Sequence, residues 1–169
     1  MQLTITIAII SALAALAAGV GALWQAYLLR FSLKVQALFA LDQKFNAPQF
    51  RRIRAAAARS LRDGRPALDV DEVIGFLDTL GLLLKRRTLD KEMVWHMFFY
   101  WIHGYSNAAR DHVEAERRKN PLVWNYIGRL YETVTTIENK KSKGLGVVTQ
   151  EGTASFLDDE AKLDDTASH

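Results

Sequence analysis

Cysteine is absent from the chain. That excludes a disulfide scaffold, a Cys-ligated zinc site, an iron–sulfur cluster and a thiol nucleophile, and it suits a reducing compartment. Several catalytic signatures are missing too. There is no Gly-x-Ser-x-Gly elbow, no phosphate loop, no His-Glu-x-x-His and no Gly-x-Gly-x-x-Gly. No run alternates apolar and polar residues as a half-buried strand does, and no Gly-rich hairpin follows Asp90 to form the wing of a winged-helix DNA reader. Charge is missing locally: no charged side chain occurs from Gln2 to Leu29.

What remains is an ordinary globular composition. The 169 residues are 49% hydrophobic and 24% charged, with a net charge of +3, values that speak against a wholly disordered chain. The length suits about one domain. The charge is unevenly spread. Glu151–His169 carries six acidic residues against Lys162 alone, a net of −5, which leaves +8 for residues 1–150.

The uncharged N-terminal run predicts a transmembrane helix over residues 1–29, because about 20 apolar residues cross the hydrocarbon core. Trp24 and Tyr27 suit an interfacial belt, and Arg30 and Lys34 suit the headgroup region. Residues 2–6 lack the positive n-region of a cleaved signal peptide. From Arg30 to Arg65 nine Lys/Arg face only Asp42 and Asp63. The positive-inside rule then predicts an inner (cytoplasmic) membrane protein with its N-terminus outside and its C-terminal domain in the cytoplasm. Ser11, Ala15 and Gly19 recur at four-residue spacing and are helix-pairing candidates.

Residues 30–139 read as a cytoplasmic domain of about four to five helices, giving an all-α fold. The first part, to Asn46, continues the N-terminal helix, and Asn46-Ala47-Pro48 breaks it. A second helix from Pro48 to Asp63 puts Phe50, Ile53, Ala57 and Leu61 on one face and Arg51, Arg52, Arg59 and Arg62 on the other. A third runs from about Asp69 to Arg87, with Val73, Phe76, Leu77, Leu80 and Leu84 as its buried stripe. Asp90 caps a long helix from Lys91 to about Lys119, dense in aromatics in its first half. Asn120-Pro121 begins the last helix, whose seam is Val123, Ile127, Leu130, Val134 and Ile137. Residues 140–169 read as a disordered acidic tail with too few apolar residues to offset chain entropy.

One set of residues carries a family likeness. Phe45-Asn46-Ala47-Pro48-Gln49-Phe50-Arg51-Arg52 with Arg54 comes first, followed by Val73-Ile74-Gly75-Phe76-Leu77 and Leu80-Gly81-Leu82-Leu83. Leu89-Asp90, Val94-Trp95, Tyr100-Trp101-Ile102, Tyr105, Arg117, Pro121 and Trp124 complete it. In these residues the chain resembles an uncharacterised bacterial family, domain of unknown function 4760, usually placed behind an N-terminal membrane helix. The chain departs at Arg87-Thr88, where such families often carry Gly. The resemblance implies a helical, membrane-tethered domain and brings no activity and no catalytic residue.

Three constellations stand out. Arg51, Arg52, Arg59 and Arg62 are lipid-contact candidates, since basic residues near an anionic leaflet are attracted by about 1 kcal/mol each. That reading disfavours nucleic acid as the partner. His96, Tyr100 and His103 share a helix face and form a candidate pocket, but seven-residue histidine spacing and too few ligands give no metal site. The aromatics from Trp95 to Tyr105 suit a core or a partner interface. No catalytic residue and no cofactor are assigned, and the balance leans away from an enzyme. The expected function is a single-pass membrane-anchored helical module for protein–protein contact or self-association, with the bilayer and a protein partner or second copy as its partners. The alternatives are a small membrane effector or channel-like oligomer, or an enzyme with an unrecognised site.

Overall fold

A computed structural model describes residues 2–65, 68–141 and 150–163, with side-chain surroundings in the first helix described from Ala18 onward. Seven helices and no strand occur among the described residues: α1 Gln2–Asn46, α2 Pro48–Arg62, α3 Leu68–Lys85, α4 Lys91–Ala108, α5 Arg110–Lys119, α6 Ile127–Lys141 and α7 Gln150–Ala161. The chain divides into two compact units, residues 1–37 and 38–169.

The first unit is helical. Among the described residues, no helix is long and apolar enough to cross a membrane. A span requires roughly 20 consecutive apolar residues in one helix, and no described helix supplies them. The transmembrane helix expected over residues 1–29 is therefore corrected. The inner-membrane placement with an outside N-terminus depended on it and is corrected with it. The side chains of Ser11 and Ala15 lie outside the described residues, and Gly19 has nothing within 4 Å of where a Cβ would stand.

The second unit is built around Phe45, which is fully buried. Its ring lies 5.5 Å from Phe50, 5.0 Å from Phe76, 5.6 Å from Phe98 and 5.2 Å from Trp101, so the end of α1 joins α2, α3 and α4 in one aromatic cluster. Such ring pairs contribute about 0.5–1.5 kcal/mol each beyond the area they bury. Ala47 is extended and Pro48 opens α2, which turns the chain after α1. Helix α3 packs on α2, α4 and α6, and α4 packs also on α6 and α7. Asp90 caps α4 by accepting from Glu92 N at 2.9 Å and Met93 N at 3.1 Å.

Three boundaries differ from the sequence reading. The long helix bends at Ala109, giving α4 and α5, while Ala109 N–Tyr105 O and Val113 N–Ala109 O bonds carry the ladder across the bend. Helix α6 starts at Ile127, not at Pro121. Residues 121–126 are a turn in which Trp124 has φ +46°, held by an Arg117 hydrogen bond to the Trp124 carbonyl. The cap of α6 comes from another helix: Asp78 Oδ1 of α3 accepts from Tyr126 N at 2.6 Å and Ile127 N at 3.0 Å. Third, the tail expected to be disordered contains α7, whose Phe156 and Leu157 are buried. Those two residues and Glu160 supply what the segment's average composition hides.

Gly81 sets the closest approach in the unit. A Cβ there would stand 2.6 Å from the Tyr126 carbonyl oxygen and 2.9 Å from its carbon. Those are backbone atoms tied to Asp78, so they cannot step aside cheaply. Gly75, six residues earlier, meets only Trp124 Nε1 at 4.0 Å. Gly81→Ala is expected to destabilise the protein by about 1–3 kcal/mol through overpacking. Gly75→Ala is expected to be neutral or to stabilise by up to about 1 kcal/mol through helix propensity. Urea unfolding of the two variants checks the pair, and a loss of equal size at both positions would refute the packing argument.

Candidate functional site

Helix α2 carries Arg54 four residues after Phe50 and three before Ala57, on its buried stripe rather than its outer face. The side chain is 2% exposed as a residue, and Glu160 of α7 is 3% exposed. A charge so buried requires a partner, and the two form a fork. Arg54 Nε donates to Glu160 Oε2 at 2.8 Å, and Nη2 donates to Oε1 at 2.6 Å. Nη1 donates to the Phe45 carbonyl at 3.3 Å. The guanidinium also lies 4.1 Å from the Phe45 ring centroid and 5.2 Å from that of Trp101, both favourable positions for a cation.

The carboxylate is satisfied from α4 as well. Trp101 Nε1 donates to Glu160 Oε1 at 3.0 Å. The Tyr105 hydroxyl donates to Glu160 Oε2 at 2.8 Å, with the Arg54 carbonyl at 3.1 Å as a second acceptor in reach. Each carboxylate oxygen thus receives two donors. Burial pushes the Tyr105 phenol well above its ordinary range, and the Glu160 charge and hydrogen bond add to this. Helix α7 is seated by shape too. Phe156 stands edge-on to Tyr105 at 4.9 Å, over Gly104, where a Cβ would come within 2.5 Å of its ring.

This arrangement relocates part of the expected lipid-contact face. Arg59 Nη1 donates to the Ala161 carbonyl at 3.1 Å, and Arg62 pairs with Asp158 at 3.4 Å. Both are engaged by α7. Arg52 is exposed and Arg51 is half-buried. The acidic segment has docked on the basic helix.

The trio His96, Tyr100 and His103 does not converge. His96 is exposed beside Trp95, and Tyr100 is 50% exposed with its ring 5.2 Å from Phe156. His103 is buried and turned toward α6. Asn107 Nδ2 donates to His103 Nδ1 at 2.8 Å, while Asn107 Oδ1 accepts from Arg110 at 3.0 Å. Nδ1 is therefore the acceptor, and Nε2 donates to the Tyr131 hydroxyl at 3.2 Å. The ring is neutral in this network, in keeping with burial lowering its pKa. Asn107 and Tyr131 line a small pocket of about 150 Å³ in which Ser106 Oγ and Arg117 Nε, both buried, lack a hydrogen-bond partner among the described residues. No three metal-binding side chains converge among the described residues. A larger groove of about 470 Å³ lies between the end of α1, α2 and α3, mostly apolar, with Lys44 and Glu72 in its wall.

The helical core that carries Arg54 and Tyr105 falls within residues 7–134, which match a family described as a domain of unknown function, DUF4760. The chain belongs to the DUF4760 family. No match was found among curated proteins or among solved structures. Within this DUF4760 chain the site spans two regions: Arg54, Trp101 and Tyr105 lie inside the matched stretch, and Glu160 lies beyond it.

Sequence reasoning passed over Arg54, Trp101, Tyr105 and Glu160 as a cluster. A signal existed on each side. Arg54 keeps the i, i+4 spacing from Phe50, and Phe156, Leu157 and Glu160 recur at helical spacing inside the acidic tail.

Two outcomes follow from the geometry. Removing one partner of the buried pair strands the other charge, which costs about 3–5 kcal/mol. Arg54→Met and Glu160→Gln are each expected to lose stability on that scale, and the double variant to lose less than the sum. A double-mutant cycle by urea unfolding measures this, and strict additivity would show that the pair does not couple. The second outcome concerns alkaline pH. The Tyr105 phenol has a folded pKa above its unfolded value of about 10. Its contribution is complete below pH of about 10 and is lost as pH rises past it, at up to about 1.4 kcal/mol per pH unit. Tyr105→Phe is expected to flatten that alkaline limb, as followed by thermal midpoint against pH.

Proposed function

We propose that this DUF4760 domain is a helix-binding interaction module. Its receptor is the groove between α2 and α4, and its ligand is an acidic amphipathic helix presenting Phe, Leu and Glu at the spacing of Phe156, Leu157 and Glu160. Helix α7 is the resident occupant, and the same helix of a second copy is the competing one, which makes self-association the simplest exchange. The observation that carries this reading is the Arg54–Glu160 fork, buried at the floor of the groove and completed by donors from α4.

The physics of such a groove favours selectivity. A helix arriving without a carboxylate at the Glu160 position would leave Arg54 buried and unpaired, a cost of several kcal/mol. A helix without an aromatic at the Phe156 position would leave the space above Gly104 empty. Outside the groove Asp158 meets Arg62 and the Ala161 carbonyl meets Arg59, contacts that add orientation more than affinity. The reading is that of a helix-in-groove receptor, in which anchors at i and i+4 supply the specificity.

The test uses the full chain and a fluorescent peptide spanning residues 150–163. Anisotropy is expected to show saturable binding. The chain variant Glu160→Gln weakens the resident helix, so it is expected to bind the added peptide more tightly than the parent chain. Arg54→Met is expected to abolish binding, as is Glu160→Gln within the peptide. A folded Glu160→Gln chain that takes up no peptide would refute the proposal.

A further inference from the structure

A second basic region lies apart from the α7 groove, and among the described residues no acidic side chain pairs with it. A cavity of about 270 Å³ opens between the end of α3, the turn into α4, and α6. Lys85, Arg87, Lys91 and Arg129 all line it, with Thr133, and no carboxylate is in its wall. Among the described residues none of these four cations forms an ion pair. Lys85 stands 4.9 Å over the Tyr126 ring, and Thr133 Oγ1 donates to the Arg129 carbonyl at 2.7 Å. The nearby Glu92 is paired with Lys141 at 3.3 Å, and Asp90 is used as the cap of α4.

Four like charges around one concavity repel one another, and a concave wall concentrates their field. The backbone adds a second, independent sign. Arg87 sits at φ +59°. Its N–H reaches the Leu84 carbonyl at 2.9 Å, and Thr88 N–H reaches the Leu83 carbonyl at 3.0 Å. That is the paired-bond terminus of a helix in which the left-handed residue is usually glycine. An arginine there is strained, and the strain brings a guanidinium to the cavity. Glycine would serve the turn better and the cavity worse.

We propose that this cavity binds a compact phosphate-bearing anion, with Arg87 and Arg129 gripping the oxygens and Lys85 and Lys91 supplying charge. Arginine's planar fork matches phosphate oxygens two at a time, and lysine acts as a point charge beside it. The volume suits a phosphomonoester or pyrophosphate group. The small volume and the charge density favour that over an extended polymer, whose phosphates are spaced along a chain.

Calorimetric titration of the full chain with inorganic pyrophosphate, at fixed ionic strength in chloride, tests the assignment. One saturable site is expected. Arg129→Gln and Lys91→Gln are each expected to weaken it by about tenfold. Arg110→Gln removes a cation outside the cavity and is expected to leave it unchanged. Arg87→Gly is the decisive variant: binding weakens by about tenfold while the thermal midpoint rises, because the left-handed turn is relieved. No saturable binding would overturn the proposal. So would an Arg110→Gln loss as large as that of Arg129→Gln, which would show general charge attraction alone. Weaker binding by Arg87→Gly together with a lowered midpoint would reduce Arg87 to a structural residue and overturn its assigned role.

Discussion

A buried guanidinium dictates much of this domain. Arg54 sits inside the stripe that α2 presents to the core, at a position where an apolar residue would need nothing from its neighbours. Because it is charged, its donors must be met. Phe45 at the end of α1 gives a carbonyl and a ring face, α7 gives a carboxylate, and α4 gives Trp101 and Tyr105 to complete that carboxylate. Segments from three other helices are therefore gathered around one side chain of α2. An apolar substitute for the pair could be as stable, since desolvating two ions offsets much of their attraction. What the ions add is register. Only one rotation and one translation of α7 puts Glu160 on Arg54 while Asp158 meets Arg62 and the Ala161 carbonyl meets Arg59.

Shape works to the same end. Glycine in a helix interior costs about 1 kcal/mol relative to alanine, and Gly104 stands inside α4, one turn before its end. Its missing Cβ is the seat of Phe156, which is flanked by Tyr105 at 4.9 Å and Tyr100 at 5.2 Å. Tyr105 thus serves twice, through its ring and through its hydroxyl. A helix docked by one polar fork and one aromatic seat has two anchors a single turn apart, which is the minimum that fixes both its position and its direction.

The helices of the second unit were legible because their signals are local. Pro48 opens α2, Asp90 caps α4, and the stripe Val73, Phe76, Leu77 and Leu80 is buried as its spacing indicates. The departures arise where a distant residue decides. Helix α6 waits for Asp78, which lies 48 and 49 positions before the amides it caps. Arg54 and Glu160 are 106 residues apart, so neither end of the fork announces the other. The tail was judged by its mean charge, yet three side chains on one face suffice to dock it. The N-terminal run was judged by its lack of charge, and no described helix is long and apolar enough to cross a membrane.

The charge arithmetic of the chain takes a different meaning once α7 is in place. Residues 1–150 carry +8 and the final segment −5, which as separate pieces suggest a basic domain trailing an acidic tail. In the fold the acidic helix lies on α2, and there it answers Arg54, Arg59 and Arg62 at short range. Screening then works in favour of locality: beyond a Debye length of about 8 Å that negative charge does little for cations elsewhere. Lys85, Arg87, Lys91 and Arg129, gathered on α3, α4, α6 and the turn between α3 and α4, have no comparable partner among the described residues. A protein whose only concern were overall charge would have spread these cations apart, as mutual repulsion favours. Their convergence on one cavity, with one of them held in a backbone conformation that suits glycine, is better explained by something the cavity receives.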